Sequence, residues 1–170
     1  YSAAGFSCGP TGASTCKYLE VAPNNWSGGT DPTVSWAQSG PPNLAEDTVG
    51  YRLTLIADIG RGARNTKAII DQGNTDSASS AAARADSYSV VVNGVNYDDW
   101  ILPSENELSQ LFIQRNVVGM VFAGASYWSS TSPTNGNGRY LVVTHVSATP
   151  GTFAGDLKTR LFYVRPIRAF

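Results

Sequence analysis

The sequence predicts an α+β fold, built as a single domain over residues 1–170. Three observations carry this. Helical patterns occupy the middle of the chain and strand patterns stand at both ends, a segregation that argues against a wound parallel sheet. A capping box, Ser104-x-x-Glu107, opens the most secure of the helices. A chain of 170 residues is also long enough to bury a substantial core as one unit.

The elements follow in order. Cys16 to Ala22 reads as a strand, with Leu19 and Val21 on one face and Tyr18 and Glu20 on the other. Residues 23–48 are rich in Pro, Gly, Ser and Asn and read as loop, anchored by Trp26 and Trp36. Residues 49–59 alternate as a strand, with Val49, Tyr51, Leu53, Leu55, Ala57 and Ile59 sharing a face. Asn65 reads as the cap of a short helix through Gln72, stopped by Gly73. Ala78 to Ser87 reads as a second helix whose Ala81, Ala82 and Ala85 permit close packing. Val90-Val91-Val92 enters a tight turn at Asn93-Gly94. Behind Ser104, Leu108, Leu111, Phe112 and Arg115 recur at helical spacing. The remainder reads as β: Tyr140 to Val146, a turn at Thr149-Pro150-Gly151, then Arg160 to Ala169. Pro166 cannot donate to a ladder and marks an edge or irregularity.

Composition narrows the class. Charged residues are 15% of the chain, well below the usual ~25%. Seventeen Gly, nine Pro and four Trp describe a loop-rich fold with aromatic anchors, the profile of an extracellular domain. Cys8 and Cys16 flank Gly9-Pro10-Thr11-Gly12, and a local disulfide closing that turn implies export. No apolar run approaches the ~20 residues needed to cross a bilayer, so membrane insertion is not expected. No signal peptide is visible, and a chain starting at Tyr1 reads as a domain excised from a longer exported protein.

The net charge of -1 is unevenly spread. Residues 61–70 carry Arg61, Arg64 and Lys67 and no acid, whereas residues 71–107 carry one base and seven acids. A polyanion would therefore meet a patch, not a uniformly basic molecule, and nucleic acid is not an expected partner. Enzymatic chemistry has little to work with. There is one histidine, His145, with no nucleophile elbow and no paired acid and base.

Several segments resemble a known family in order and spacing. They are Cys16 to Pro23 with Trp26, Asn65 to Ile70, Asp99-Trp100-Ile101-Leu102-Pro103-Ser104, Tyr127-Trp128-Ser129-Ser130-Thr131, and Val164-Arg165-Pro166-Ile167-Arg168. Together they resemble the Lcl C-terminal-like family of extracellular bacterial domains. The resemblance implies a variant C-type lectin fold. It also implies an adhesin domain that binds sulfated glycosaminoglycans such as heparin or chondroitin sulfate, at the bacterial surface or secreted. In the family's collagen-like adhesin the domain follows a collagenous stalk, which implies a homotrimer. No Gly-X-Y repeat occurs in this chain. The other reading is a lectin-like carbohydrate- or protein-binding module, calcium-dependent or not, with no preference for polyanions.

Most motif residues have structural work to do. Trp100 and Trp128 read as core anchors rather than sugar platforms, and Ser104 as a helix cap. Arg165 and Arg168 read as paired inside the protein with acids such as Asp98, Asp99 or Glu105. For an anion, the leading candidates are Arg61, Arg64 and Lys67. Three cations at a helix entrance combine side-chain charge with free backbone N–H groups. Arg139, Lys158 and Arg160 would extend such a patch near the last hairpin. No cofactor is expected. The remaining option for a metal is calcium on Asp98 and Asp99 with Asn93 and Asn96, although their spacing matches no EF-hand.

Overall fold

A computed structural model describes residues 5–38, 55, 57–122, 126–132, 137–142 and 151–170. Among these, strands β1 (Phe6–Cys8), β2 (Ser14–Cys16), β3 (Leu19–Val21) and β4 (Thr33–Val34) come first. Helices α1 (Gly62–Asp71) and α2 (Ala81–Asp86) follow, then the hairpin β5 (Val90–Val92) and β6 (Val95–Tyr97). Helix α3 (Glu105–Gln114) precedes β7 (Ser126–Trp128), β8 (Asn137–Val142), β9 (Thr152–Leu157), β10 (Phe162–Tyr163) and β11 (Ile167–Ala169). The fold is α+β, with helices in the middle and strands at both ends.

The largest sheet has the order β4-β10-β7-β8-β9. Only the β10–β7 contact in it is parallel. β11 pairs with β3, which brings the end of the chain back beside its start. Two apolar clusters fill the interior. One gathers Trp26, Trp36, Trp100 and Trp128 around the alanine face of α2 and Ile69 of α1. The other gathers Ile101, Leu108, Leu111, Met120, Tyr127 and Ile167. Each indole N–H finds an acceptor: Trp26 on Asp31, Trp36 on Ser129 O, Trp100 on Tyr97 O and Trp128 on Val34 O. A buried Trp needs such a partner for its one polar atom. β8 passes so close to Trp36 and Trp128 that a Cβ at Gly138 would strike both rings.

Several boundaries move from their expected places, each for a visible reason. The Cys16–Ala22 strand is two short ones, because β2 belongs to the disulfide hairpin with β1 while β3 joins β11. α1 begins a turn before Asn65. Arg61 is its N-cap and makes no side-chain cap, and Asn65 is buried, donating to Ser130 Oγ at 3.3 Å. Gly73 ends the helix with φ of 98°, as its position suggested. α2 is shorter than Ala78–Ser87. The Asp76 carboxylate takes the Ala78 N–H and the Ser79 hydroxyl into a turn, leaving Ser80 to cap the helix. Arg160–Ala169 divides into β10 and β11 because Arg165 turns into the core and Pro166 lacks an N–H. Residues 49–54 and 56 of the expected 49–59 strand lie outside the described residues, as do 143–146, with His145, and the turn residues 149 and 150. Leu55 forms an isolated bridge with Ser132, and residues 58–60 turn toward α1.

The hairpin at Asn93-Gly94 forms as expected, with φ of 52° and 79° at those residues. The capping box is present in full. α3 buries Leu108 and Leu111, whereas Phe112 is half-buried at the cluster's edge, under the Arg115 guanidinium. Leu108→Ala is therefore expected to cost about 3 kcal/mol in a denaturant melt, and Phe112→Ala clearly less. The reverse order would mean that α3 presents a different face to the core.

Cys8 and Cys16 form a disulfide, their Cα atoms 5.9 Å apart. It closes a loop whose ends are eight residues apart in sequence, for which chain entropy gives about 2.5 kcal/mol. The denatured, unreduced protein should show no titratable thiol. The Cys8→Ser/Cys16→Ser variant should lose about that much stability.

Candidate functional site

α1 presents Arg61 at its N-cap, half-buried, with Arg64 and Lys67 exposed along its first two turns. The backbone part of the expected anion site is already occupied. Glu107, 1% exposed, sets its carboxylate against the start of α1: Oε1 accepts from Gly60 N–H at 2.8 Å, and Gly62 N–H also reaches the group. Oε2 accepts from Ser104 N–H at 2.7 Å, which closes the capping box of α3. One internal carboxylate thus sits at the positive ends of two helices. Burial pushes its pKa up, while the hydrogen bonds from Ser104, Gly60 and Gly62 pull it down without cancelling the rise. Gly62 is obligatory here, since a Cβ would collide with the Glu107 carboxylate and crowd Leu102 O.

An external anion at α1 would therefore be met by side chains. Lys67 is bound to Asp71 one turn on, at 2.7 Å. Arg64 has no acidic partner among the described residues. The expected extension of the patch fares differently at each residue. Lys158 is 5% exposed, and its ammonium lies 4.6 Å from the centre of the Trp36 ring. It is an interior cation packed on an indole and is removed from the binding surface. Arg160 is exposed, with Asp156 at 3.6 Å. Arg139 lies in β8 opposite Gly155.

The two arginines near the C-terminus are internally paired, with partners partly different from those expected. Arg168 binds Glu20 at 2.6 Å and Asp99 at 3.5 Å, with its guanidinium 4.1 Å from the centre of the Tyr97 ring. Arg165 binds Asp31, which the sequence had not singled out. Its Nε and Nη2 reach Asp31 Oδ2 at 2.9 and 2.7 Å, and its remaining donors reach Ala22 O, Asn24 Oδ1 and Val121 O. Tyr127 OH donates to the same carboxylate oxygen at 2.6 Å. Both ions are buried and saturated with hydrogen bonds, which places them in the frame of the protein. Nothing in the local sequence around Asp31 announces this, because its partner is 134 residues away.

Around the calcium option, Asp98 Oδ2 accepts from the Asn96 amide at 3.3 Å, and Asp99 is turned toward Arg168. Among the described residues no three His, Cys, Asp or Glu side chains stand close enough to share a metal ion. No helix among them is long and apolar enough to cross a membrane.

A groove of about 390 Å³ runs between α1 and the disulfide hairpin. Lys67, Asp71, Asp86 and Asp99 stand at its rim and Trp100 contributes to its wall. The charged segment that sequence reading offered to an anion therefore borders a groove of opposite sign. Comparison with models of protein families finds no match, and a search of curated proteins finds none.

Proposed function

We propose that this chain is a non-enzymatic, extracellular binding domain of the Lcl C-terminal-like kind, with a variant C-type lectin fold. On this reading it binds sulfated glycosaminoglycans, such as heparin or chondroitin sulfate, at the bacterial surface or after secretion. The observation that carries the reading is the row of cations on α1: Arg61, Arg64 and Lys67 on successive turns, with Arg64 free of any acidic partner among the described residues. The disulfide supports an oxidising compartment. The complete burial of Trp100 to Ser104 and of Trp128 to Thr131 supports their role as the fold's anchors.

A guanidinium offers sulfate a planar fork of donors. Exposed ion pairs contribute only about 0–1 kcal/mol each, so one copy of this small patch binds weakly. A homotrimer would present three patches to one long chain and gain avidity through effective concentration. Heparin affinity is then expected to fall steeply with salt and with shortening of the saccharide. The Arg61→Glu/Arg64→Glu/Lys67→Glu variant should lose heparin binding with a nearly unchanged melting temperature. A folded triple variant that binds as the wild type does would place the site elsewhere. Light scattering at micromolar concentration should report three copies, and a monomer there would remove the avidity argument.

A further inference from the structure

The groove beside α1 has an apolar floor and an acidic rim. Ala63, Ile70 and Trp100 line its interior. At the rim the Lys67 charge is answered by Asp71 at 2.7 Å, and Arg168 is shared between Glu20 and Asp99. Asp86 is left over, with no cationic partner among the described residues. Of the charged residues lining the groove, one is a cation, Lys67, and three are carboxylates, Asp71, Asp86 and Asp99, so the mouth carries an excess negative charge of about two. Partial desolvation where it meets the groove holds the Asp86 carboxyl above its ordinary value, although the residue as a whole is exposed. An acidic mouth over an apolar floor is complementary to a ligand with an apolar stem and a cationic tip, and it repels a polyanion.

We propose that this groove receives a lysine side chain of a partner polypeptide. The four-carbon stem lies along Ala63 and Ile70, and the ammonium comes to Asp86 at the rim. Lysine fits because its stem is flexible and apolar and its charge is compact. This proposal rests on Asp86, whereas the polyanion reading rests on Arg61 and Arg64; Lys67, tied to Asp71 at the groove's rim, is common to both.

The test is titration of the whole chain with an acetylated, amidated Gly-Ser peptide carrying four spaced lysines, followed by calorimetry. The wild type should bind, more weakly as salt rises, and the same peptide with glutamine for lysine should not. Asp86→Asn should weaken binding about two- to fivefold, the measured range for one exposed ion pair, and Asp86→Lys by about tenfold or more. Asp86 is exposed and makes no ion pair, so both variants should melt as the wild type does. Arg64→Glu should leave peptide binding undiminished. Three results would each overturn the proposal: no binding of the lysine peptide, equal binding by folded Asp86→Lys, or binding of free cadaverine as tight as that of the peptide. Heparin binding by the Asp86 variants should be unchanged, so failure here and failure of the polyanion reading are read from different measurements.

Discussion

Asp31→Ala is expected to lose about 3–5 kcal/mol of folding stability, among the largest effects of any single change in this chain. The reason is what the change leaves behind. Arg165 is 2% exposed, and without Asp31 its positive charge stays buried beside Ala22 O, Asn24 and Val121 O with no counter-ion. Trp26 Nε1 and Tyr127 OH lose their acceptor in the same step. A neutral hydrogen bond contributes about 0.5–1.5 kcal/mol and one to a charged group about 1.5–3 kcal/mol, so Tyr127→Phe alone should cost about 2 kcal/mol. Replacing both ions, as Asp31→Leu/Arg165→Met, should cost less than the sum of the single changes, because neither partner is then stranded. Chemical denaturation of the wild type, Asp31→Leu, Arg165→Met and the double variant measures the coupling. Additive losses would mean that water reaches the pair.

This network also shows what could be read from the chain and what could not. Local patterns announced local structure. Ser104-x-x-Glu107 gave a capped helix, Asn93-Gly94 a hairpin turn, and Cys8 with Cys16 a closed loop. The alanine face of α2 and the burial of all four tryptophans followed from composition and spacing. Long-range pairings left no such mark. Asp31 meets Arg165 only because β10 lies between β4 and β7, and Lys158 is lost to the surface because the strand-end at Lys158 runs beside Trp36. A charge read as part of a surface patch can be an interior one, since sequence gives its sign and not its depth. The start of α1 was misplaced for a related reason: its cap is a carboxylate 45 residues away in the chain, on another helix. The acidic groove is not legible in the sequence because Asp71, Asp86 and Asp99 come to one groove only through the packing of α1, α2 and the segment that follows β6.

That distant carboxylate is the second site of large effect. Glu107→Ala is expected to cost about 3–5 kcal/mol, since it strips the acceptor from the buried N–H groups of Gly60, Gly62 and Ser104, each worth about 1–3 kcal/mol when left unpaired. It also loosens the joint between two helix starts, which a contact on the outer face of either helix would not do. Glu107→Gln is the sharper probe. Its carbonyl oxygen can replace one carboxylate oxygen, but its amide must point N–H groups at N–H groups, so about half of the loss should remain. The pH dependence separates charge from shape. Burial holds the folded Glu107 carboxyl above its ordinary value, so over the interval between the unfolded and folded values the folded protein keeps a proton that the unfolded chain has released. Stability from this group is therefore greatest at the acidic end of that interval and declines as pH rises through it. Glu107→Gln cannot titrate, so the gap between it and the wild type should narrow from about pH 4.5 upward. Denaturant melts of the two proteins across that range decide the matter. A gap that widens with pH would mean that the backbone donors and the two helix ends outweigh burial, and that Glu107 holds its joint as a fully ionised carboxylate.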